Sequence, residues 1–155
     1  MKERAKVERK SEREVVVTRM IDGPPRLVYE AWTTAALFQQ WWVPKSVPIT
    51  LLSCELDVRV GGGYRLVFAA GSDTMEFFGR YLEAVPCSRL VWTNDEGGEA
   101  AAAITTVTFE EVNGKTLLTV SDLHPTKEAL DGAGAMDAMP ESLDQLDALL
   151  ATLPR

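Results

Sequence analysis

The sequence predicts an α+β fold in which a curved antiparallel sheet closes over a C-terminal helix. Three observations lead to this prediction. Apolar and polar residues alternate between residues 48 and 122, hairpin-type turns separate the alternating stretches, and the chain ends in an apolar stripe at helical spacing. A doubly wound parallel fold is excluded, because it needs a crossover helix between successive strands.

The N-terminal part of the chain predicts a charged tail, one strand and two short helices. Residues 1–13 hold six bases and few apolar side chains, so we expect a disordered or frayed tail there and one domain over residues 14–155. The Val-rich run Glu14–Ile21 is typical of a strand. A helix then starts at a proline pair, and a second short helix carries Trp41-Trp42.

The middle of the chain predicts five or six further strands. One face of residues 52–60 is apolar and the other is polar, which indicates a half-buried strand. Three glycines at residues 61–63 predict a hairpin turn, because glycine adopts a positive φ at little cost. Asn113-Gly114 is the strongest short hairpin signal, and Gly79 indicates a bulge or a close backbone approach. Together with the first strand, this makes a sheet of six or seven strands.

The last segment predicts one long helix. Its apolar residues, at alternating spacings of three and four, form a narrow stripe: Met136, Met139, Leu143, Leu146, Leu150 and Leu153. We expect Leu143, Leu146 and Leu150 to pack on the sheet as its main contact. Pro140 removes one helical hydrogen bond, so a kink is expected near residues 136–140.

Composition excludes several classes of function. The net charge of −7 argues against a general affinity for nucleic acid or anionic lipid. One histidine, His124, and two cysteines, Cys54 and Cys87, are too few for a zinc cluster, so no metal site is expected. The chain lacks an apolar run of about 18 residues, so no membrane span is expected. An N-terminus without an apolar signal segment favours the cytoplasm, where the cysteines stay free; one disulfide is the alternative.

Short motifs follow one another along the chain in a specific order. They are Arg19-x-Ile21-x-Gly23-Pro24, Val28-Tyr29-x-Ala31-Trp32-Thr33, Phe38-x-x-Trp41-Trp42-x-Pro44-Lys45, Asp57-x-Arg59-x-Gly61-Gly62-x-Tyr64, Gly79-x-Tyr81-Leu82-Glu83 and Arg89-Leu90-Val91-Trp92-Thr93. In this order they resemble the START-like (SRPBCC) superfamily of helix-grip proteins. The chain is most similar to the branch named after the C-terminal domain of the activator of Hsp90 ATPase.

This resemblance implies a helix-grip fold with a cavity between the sheet and the long C-terminal helix. Members of the superfamily bind lipids, hormones or polyketides, act as cyclases, or assist a chaperone, so the fold does not name the function. The sequence departs from the family pattern at Val43, where glycine is usual, and at Val60, where proline is common. Met139 stands where the last helix usually carries tryptophan, and Pro140 follows it.

The candidate ligand-binding residues are apolar or aromatic and are expected to line this cavity. They are Trp41, Trp42, Tyr64, Leu66, Phe68, Phe77, Trp92, Met136, Met139 and Leu143. We expect one of the two adjacent tryptophans to close an end of the cavity. The alternative is that these side chains simply fill the core. A pocket of this kind would suit an uncharged ligand held by burial of apolar area.

No pattern in the sequence nominates a catalytic residue. The triple glycine lacks the Lys-Ser/Thr pair of a phosphate-binding loop. Glu110 and Glu111 are neighbours in a strand, so they point to opposite faces and form no carboxylate pair. His124 is interpreted as a loop residue before a helix, with a general base as the alternative.

Three classes of function remain. The first is a domain that binds a small hydrophobic molecule and needs no cofactor. The second is a cyclase- or hydrolase-type enzyme in the same cavity, which would require a buried acid, base or tyrosine. The third is a chaperone-interaction module. The sequence leaves the oligomeric state open, a homodimer included.

Overall fold

Eight antiparallel strands form one open sheet. A computed structural model describes residues 5–95, 103–133 and 139–153. The strands in it are β1 (Lys6–Arg9), β2 (Glu14–Ile21), β3 (Thr50–Leu56), β4 (Gly63–Ala70), β5 (Asp73–Val85), β6 (Arg89–Asn94), β7 (Ala103–Val112) and β8 (Lys115–Leu123). Their spatial order is β1-β2-β8-β7-β6-β5-β4-β3, so every strand pairs with its sequence neighbour except where β2 pairs with β8.

The helices are α1 (Pro25–Thr33), α2 (Ala35–Phe38), α3 (Lys127–Ala133) and α4 (Met139–Leu150). A proline opens α1, as the sequence predicts, because the missing N–H has no partner in the first turn. Leu143, Leu146 and Leu150 of α4 are fully buried in the core, which confirms their expected burial. None of the helices in the described ranges is long and apolar enough to cross a membrane. The α+β class and the helix-grip arrangement are thus confirmed.

One buried arginine ties α4 to strand β2. The Nη1 of Arg19 donates a hydrogen bond to the Leu143 carbonyl at 3.0 Å. Its Nη2 lies 3.1 Å from an oxygen of Asp144 and 3.6 Å from one of Asp147. The backbone N–H of Asp22 also donates to Asp147, at 2.9 Å. These hydrogen bonds and ion pairs therefore hold α4 against β2 beside the leucines that α4 buries in the core.

Part of the N-terminal tail forms a strand, which corrects the expectation of a frayed tail. Strand β1 pairs with β2 from Lys6 opposite Thr18 to Arg9 opposite Val15. All four residues of β1 are exposed. Their mostly polar side chains therefore reflect contact with solvent and give no sign that the backbone pairs with β2. Arg9 also pairs with Asp131 of α3 at 2.8 Å. With this strand, the described ranges contain eight strands, above the six or seven expected.

The strand predicted over residues 52–60 ends earlier than its alternation suggests. A register shift between Leu51 and Ser53 turns Leu52 outward, where it is 58% exposed. The chain leaves the sheet after Leu56, so Val60 is 67% exposed in the following loop. The glycine turn itself is confirmed, with Gly61 at φ 86°. An alternating pattern cannot show a bulge, because the bulge changes the geometry without changing the residue types.

Three further expectations concern cysteines and the start of the last helix. Cys54 and Cys87 are both free thiols in this structure. Burial raises the pKa of the Cys54 thiol to about 11, so it stays protonated. Met136 lies outside the described residues, as does most of the segment in which a kink was expected.

Candidate functional site

A cavity of about 320 Å³ lies between the sheet and the N-terminal half of α4. Strands β3 to β8, both short helices after β2, the segment that follows them, and α4 all contribute to its wall. The lining residues are Trp32, Phe38, Trp42, Val43, Pro44, Ile49, Leu56, Tyr64, Leu66, Phe68, Phe77, Tyr81, Trp92, Asn94, Thr105, Asp122, Met139 and Ser142. Most of this wall is aromatic or aliphatic.

The structure places seven of the ten predicted site residues in this wall: Trp42, Tyr64, Leu66, Phe68, Phe77, Trp92 and Met139. Trp41 and Leu143, which were also expected in the wall, are not among its lining residues. Trp41 is buried in the core, where its ring packs edge-on against Trp32 and its Nε1 donates to the Ala31 carbonyl at 3.0 Å. Leu143 lies on the side of α4 that faces the closed core. Met136 falls outside the described residues.

Side chains in the first two turns of α4 form hydrogen bonds with residues 41–46, which we call the tryptophan segment. Ser142 donates to the Trp42 carbonyl at 2.8 Å, and Gln145 Nε2 donates to the carbonyls of Trp41 and Val43, both at 2.9 Å. Val43, where the family usually has glycine, places its side chain in the cavity wall. The segment is thus attached by polar bonds while its side chains cover the cavity.

Glu141 completes this attachment. One of its carboxylate oxygens accepts a hydrogen bond from the Ser46 N–H at 3.0 Å, and the other accepts one from the Ser46 hydroxyl. These hydrogen bonds, with the hydroxyl contributing most, lower the pKa of Glu141 below its usual range. The attachment is therefore strongest when Glu141 is ionised.

A close backbone approach at Gly79 positions the aromatic part of the wall. A Cβ at this position would lie 1.8 Å from the Thr93 carbonyl oxygen and 2.8 Å from Cε2 of Tyr64. The absence of a side chain lets the Tyr64 ring lie against the strand, 6.0 Å from the Tyr81 ring and 6.2 Å from the Trp92 ring, measured between centroids. The sequence prediction of a close approach at Gly79 is confirmed.

A row of polar side chains crosses the cavity wall. The hydroxyl of Thr105 donates to Oδ1 of Asp122 at 2.6 Å, and Nδ2 of Asn94 donates to the Thr105 hydroxyl at 3.0 Å. Oδ1 of Asn94 lies 3.0 Å from the Tyr64 hydroxyl, which also contacts the Thr93 carbonyl. Four polar residues from β4, β6, β7 and β8 are therefore connected by hydrogen bonds along one wall.

Asp122 is the ionisable end of this row. Thr105 stands directly opposite it in the pairing of β7 with β8. Burial raises the pKa of the Asp122 carboxyl, while the Thr105 hydrogen bond and the charge of His124 partly oppose that change. Burial also raises the pKa of Tyr81, another residue of the cavity wall, far above its usual range, so its phenol stays neutral. The wall thus offers a carboxyl group and neutral hydroxyls in an apolar space.

The sequence analysis did not identify Asp122, Thr105 and Asn94. One signal was present: Thr116, Leu118 and Val120 form the buried face of β8, and Asp122 continues the same alternation. A carboxyl on the inner face of a strand is rare unless it is paired or functional. His124, by contrast, lies in the loop before α3, as expected, with its backbone N–H donating to the Arg13 carbonyl at 2.7 Å.

The side chains of the cavity wall can form hydrogen bonds, and one of them, Asp122, can exchange a proton. Across the described ranges, no three His, Cys, Asp or Glu side chains are grouped so that they could hold a metal ion. A molecule inside the cavity would meet aromatic faces over most of its surface. At the polar row it would meet Asp122, which can accept a hydrogen bond or exchange a proton.

Solved bacterial structures share this fold. A Rhodobacter sphaeroides protein has a TM-score of 0.87 at 23% identity, covering 97% of this chain and 99% of its own. A Nitrosomonas europaea protein has a TM-score of 0.80 at 23% identity, covering 92% and 96%. A Chromobacterium violaceum protein has a TM-score of 0.74 at 27% identity, covering 90% and 98%.

The sequence comparisons agree with this fold. No curated protein matches the chain. The sequence model described as "Activator of Hsp90 ATPase homolog 1-like protein" matches residues 22–151, which is most of the chain. Sequence and fold together thus show that the protein belongs to the activator of Hsp90 ATPase homolog 1-like family of the START-like superfamily.

Proposed function

We propose that the protein binds a small, largely apolar organic molecule in the cavity between the sheet and α4. The observation that carries this proposal is the cavity itself, about 320 Å³ in volume and walled mainly by aromatic and aliphatic side chains. Pockets that hold small molecules combine this size and apolar lining with a few well-placed polar groups. The row from Tyr64 to Asp122 supplies such polar groups.

The residues have distinct roles in this proposal. Tyr64, Phe77 and Trp92 offer ring surfaces on the sheet side, and Met139 forms the wall on the helix side. Trp42 covers the end formed by the tryptophan segment. Burial of apolar area contributes roughly 25 cal/mol per Å² before the costs of association, so a compact hydrophobic ligand would bind measurably. Met139 in place of the family's tryptophan leaves more room for it.

Two measurements test the proposal. Native mass spectrometry of freshly purified protein should detect a retained small molecule. Titration with the neutral fluorescent probe N-phenyl-1-naphthylamine should give a saturable signal that Met139→Trp weakens by at least about tenfold, because the larger ring occupies the cavity. Met75→Trp makes the same replacement at an exposed position on β5 and should leave probe binding unchanged.

The proposal fails if the wild-type protein neither retains a molecule nor binds the probe saturably. It also fails if the two tryptophan variants weaken the probe equally, since binding would then not involve the cavity. The family description names a chaperone activator, and a chaperone role would use the outer surface of the protein. In that case a chaperone would bind the wild type, Met139→Trp and Met75→Trp with equal affinity, while the probe would bind none of them.

Asp122 favours enzymatic activity as a second candidate function. A carboxyl in an apolar cavity, hydrogen-bonded to Thr105, is a group that general acid–base catalysis can use. The test compares molecules retained by the wild-type protein and by Asp122→Asn, both isolated from the same cells. An enzyme should retain its product in the first and unconverted substrate in the second, with different masses. Identical masses would contradict catalysis through Asp122.

A further inference from the structure

We propose that Asp122 anchors its ligand through a protonated amine, so that the cavity selects a hydrophobic amine over a neutral or an acidic molecule of the same shape. This inference rests on the proposed function, because it names the chemical class of molecule that the same cavity would bind. It also replaces the expectation of an uncharged ligand that apolar residues alone suggested.

The geometry leaves one side of the carboxyl group available. Thr105 donates to Oδ1 of Asp122 at 2.6 Å. Among the residues that the structure describes, no group donates to Oδ2. Asp122 is part of the cavity wall, so a bound molecule can lie beside its carboxyl group. Its partner must be a donor, because an ionised carboxylate only accepts hydrogen bonds.

The charge balance around Asp122 specifies which donor. Within the described ranges, no lysine or arginine forms an ion pair with this carboxylate, and His124 is the one basic group that acts on it. An ionised carboxylate in an apolar space is unfavourable unless a cation compensates it. Burial accordingly raises the pKa of Asp122. A ligand ammonium group would supply the missing positive charge and donate to Oδ2 at the same time.

The remaining wall is suited to the same ligand. The rings of Tyr64, Tyr81 and Trp92 line the cavity and pack on one another edge to face. A cation beside the face of an aromatic ring is attracted by the ring quadrupole, and Trp is the strongest partner. An acidic ligand would meet the Asp122 carboxylate instead and be repelled. Aromatic rings and one carboxylate thus make a consistent site for an amine with a hydrophobic body.

Three probes with one skeleton test this selection: 2-naphthylmethylamine, 2-naphthalenemethanol and 2-naphthoate. Their affinities for the full-length protein are measured by calorimetry at neutral pH. We expect the amine to bind at least about tenfold more tightly than the alcohol, and the carboxylate to bind least. Asp122→Asn keeps an acceptor for Thr105 but removes the charge, so it should abolish the preference for the amine over the alcohol. Asp73→Asn, at an exposed carboxylate beside the β4–β5 turn, should change none of the three affinities.

Equal binding of amine and carboxylate to the wild-type protein would overturn this inference, as would an amine preference that survives in Asp122→Asn. If the alcohol binds and the amine has no advantage, the cavity binds ligands but Asp122 does not select them. If no probe binds, this inference fails, whereas the proposed function fails only if the protein also retains no molecule and does not bind N-phenyl-1-naphthylamine. A wild-type ranking in which the amine has no advantage overturns the inference even if Asp122→Asn does not fold.

Discussion

The two ends of helix α4 meet the sheet in different ways. Toward its C-terminus, Leu146 and Leu150 are fully buried, and Arg19 binds the helix through Asp144 and Asp147. Toward its N-terminus, Met139 and Ser142 face a cavity. There the helix contacts the tryptophan segment by hydrogen bonds from polar side chains. One end packs its leucines into the core, whereas the other borders a cavity.

This difference shows how one helix can serve two purposes. Packing at the C-terminal end of α4, which we call the closed end, stabilises the fold, since buried apolar area is the main favourable contribution to folding. At the N-terminal end of α4, which we call the hollow end, directional hydrogen bonds position the cavity wall without filling the space behind it. The ionisable group of the cavity, Asp122, lies at the hollow end, where burial raises its pKa. We therefore expect the closed end to determine stability and the hollow end to determine binding.

The largest expected effect is on the free energy of unfolding, measured for one side-chain truncation at each end of α4. Leu146→Ala should lower the free energy of unfolding by about 2–5 kcal/mol, because it opens a new void in a filled core. Met139→Ala should lower it by about 1–2 kcal/mol, since its side chain already borders a cavity and loses fewer contacts. Urea denaturation measures both. Equal losses would show that the two ends are packed alike.

The sequence predicts the closed end well. The spacing of Leu143, Leu146 and Leu150 specifies which face of α4 is buried, because helical periodicity and burial follow from the same geometry. The Val-rich strand β2 and the Asn113-Gly114 hairpin are equally readable. The exposed strand β1 was missed because its stabilisation comes from backbone pairing, which leaves no apolar pattern in its residues.

A smaller effect is expected at Asp122. Its unfolded pKa is near 3.8 and its folded pKa is raised, so the unfolded chain loses the proton first. Stability therefore falls as the pH rises from the unfolded to the folded pKa, and the loss is complete above the latter. Asp122→Asn does not titrate, so its melting temperature should exceed that of the wild type at pH 7. Calorimetric melts should show this advantage vanish below about pH 3.8.

The opposite result, a lower melting temperature for Asp122→Asn at pH 7, would mean that the ionised carboxylate stabilises the empty protein. Asp73→Asn serves as the control, because its carboxyl group is exposed. Its melting curve should follow that of the wild type at each pH.

The smallest effect is expected at the attachment of the tryptophan segment. Hydrogen bonds from Ser46 hold the pKa of Glu141 below 4.5, so its contribution is present above that pH and is lost as the pH falls through the folded pKa. The amide resonance of Ser46 should shift in this acid range while the rest of the core stays native. Glu141→Gln should remove the acid-dependent shift. A resonance that is constant down to global unfolding would contradict this attachment.

The hollow end was only partly predictable. Tyr64, Leu66 and Phe68 follow a simple alternation, and the structure brings their side chains to the cavity. The polar row was missed because its members lie on separate strands, and only the pairing of β7 with β8 places Thr105 beside Asp122. Adjacent Trp41 and Trp42 could not be told apart from sequence, since the turn after α2 decides which ring enters the core.

The central claim is that α4 covers an open apolar space at one end and none at the other. A crystal structure of the protein under xenon pressure tests this most directly, because xenon occupies apolar cavities without needing specific partners. We expect a xenon site bounded by Leu66, Phe77 and Met139, and no xenon beside Leu146. A structure without xenon, in which the side chains around Met139 close the space, would contradict the account.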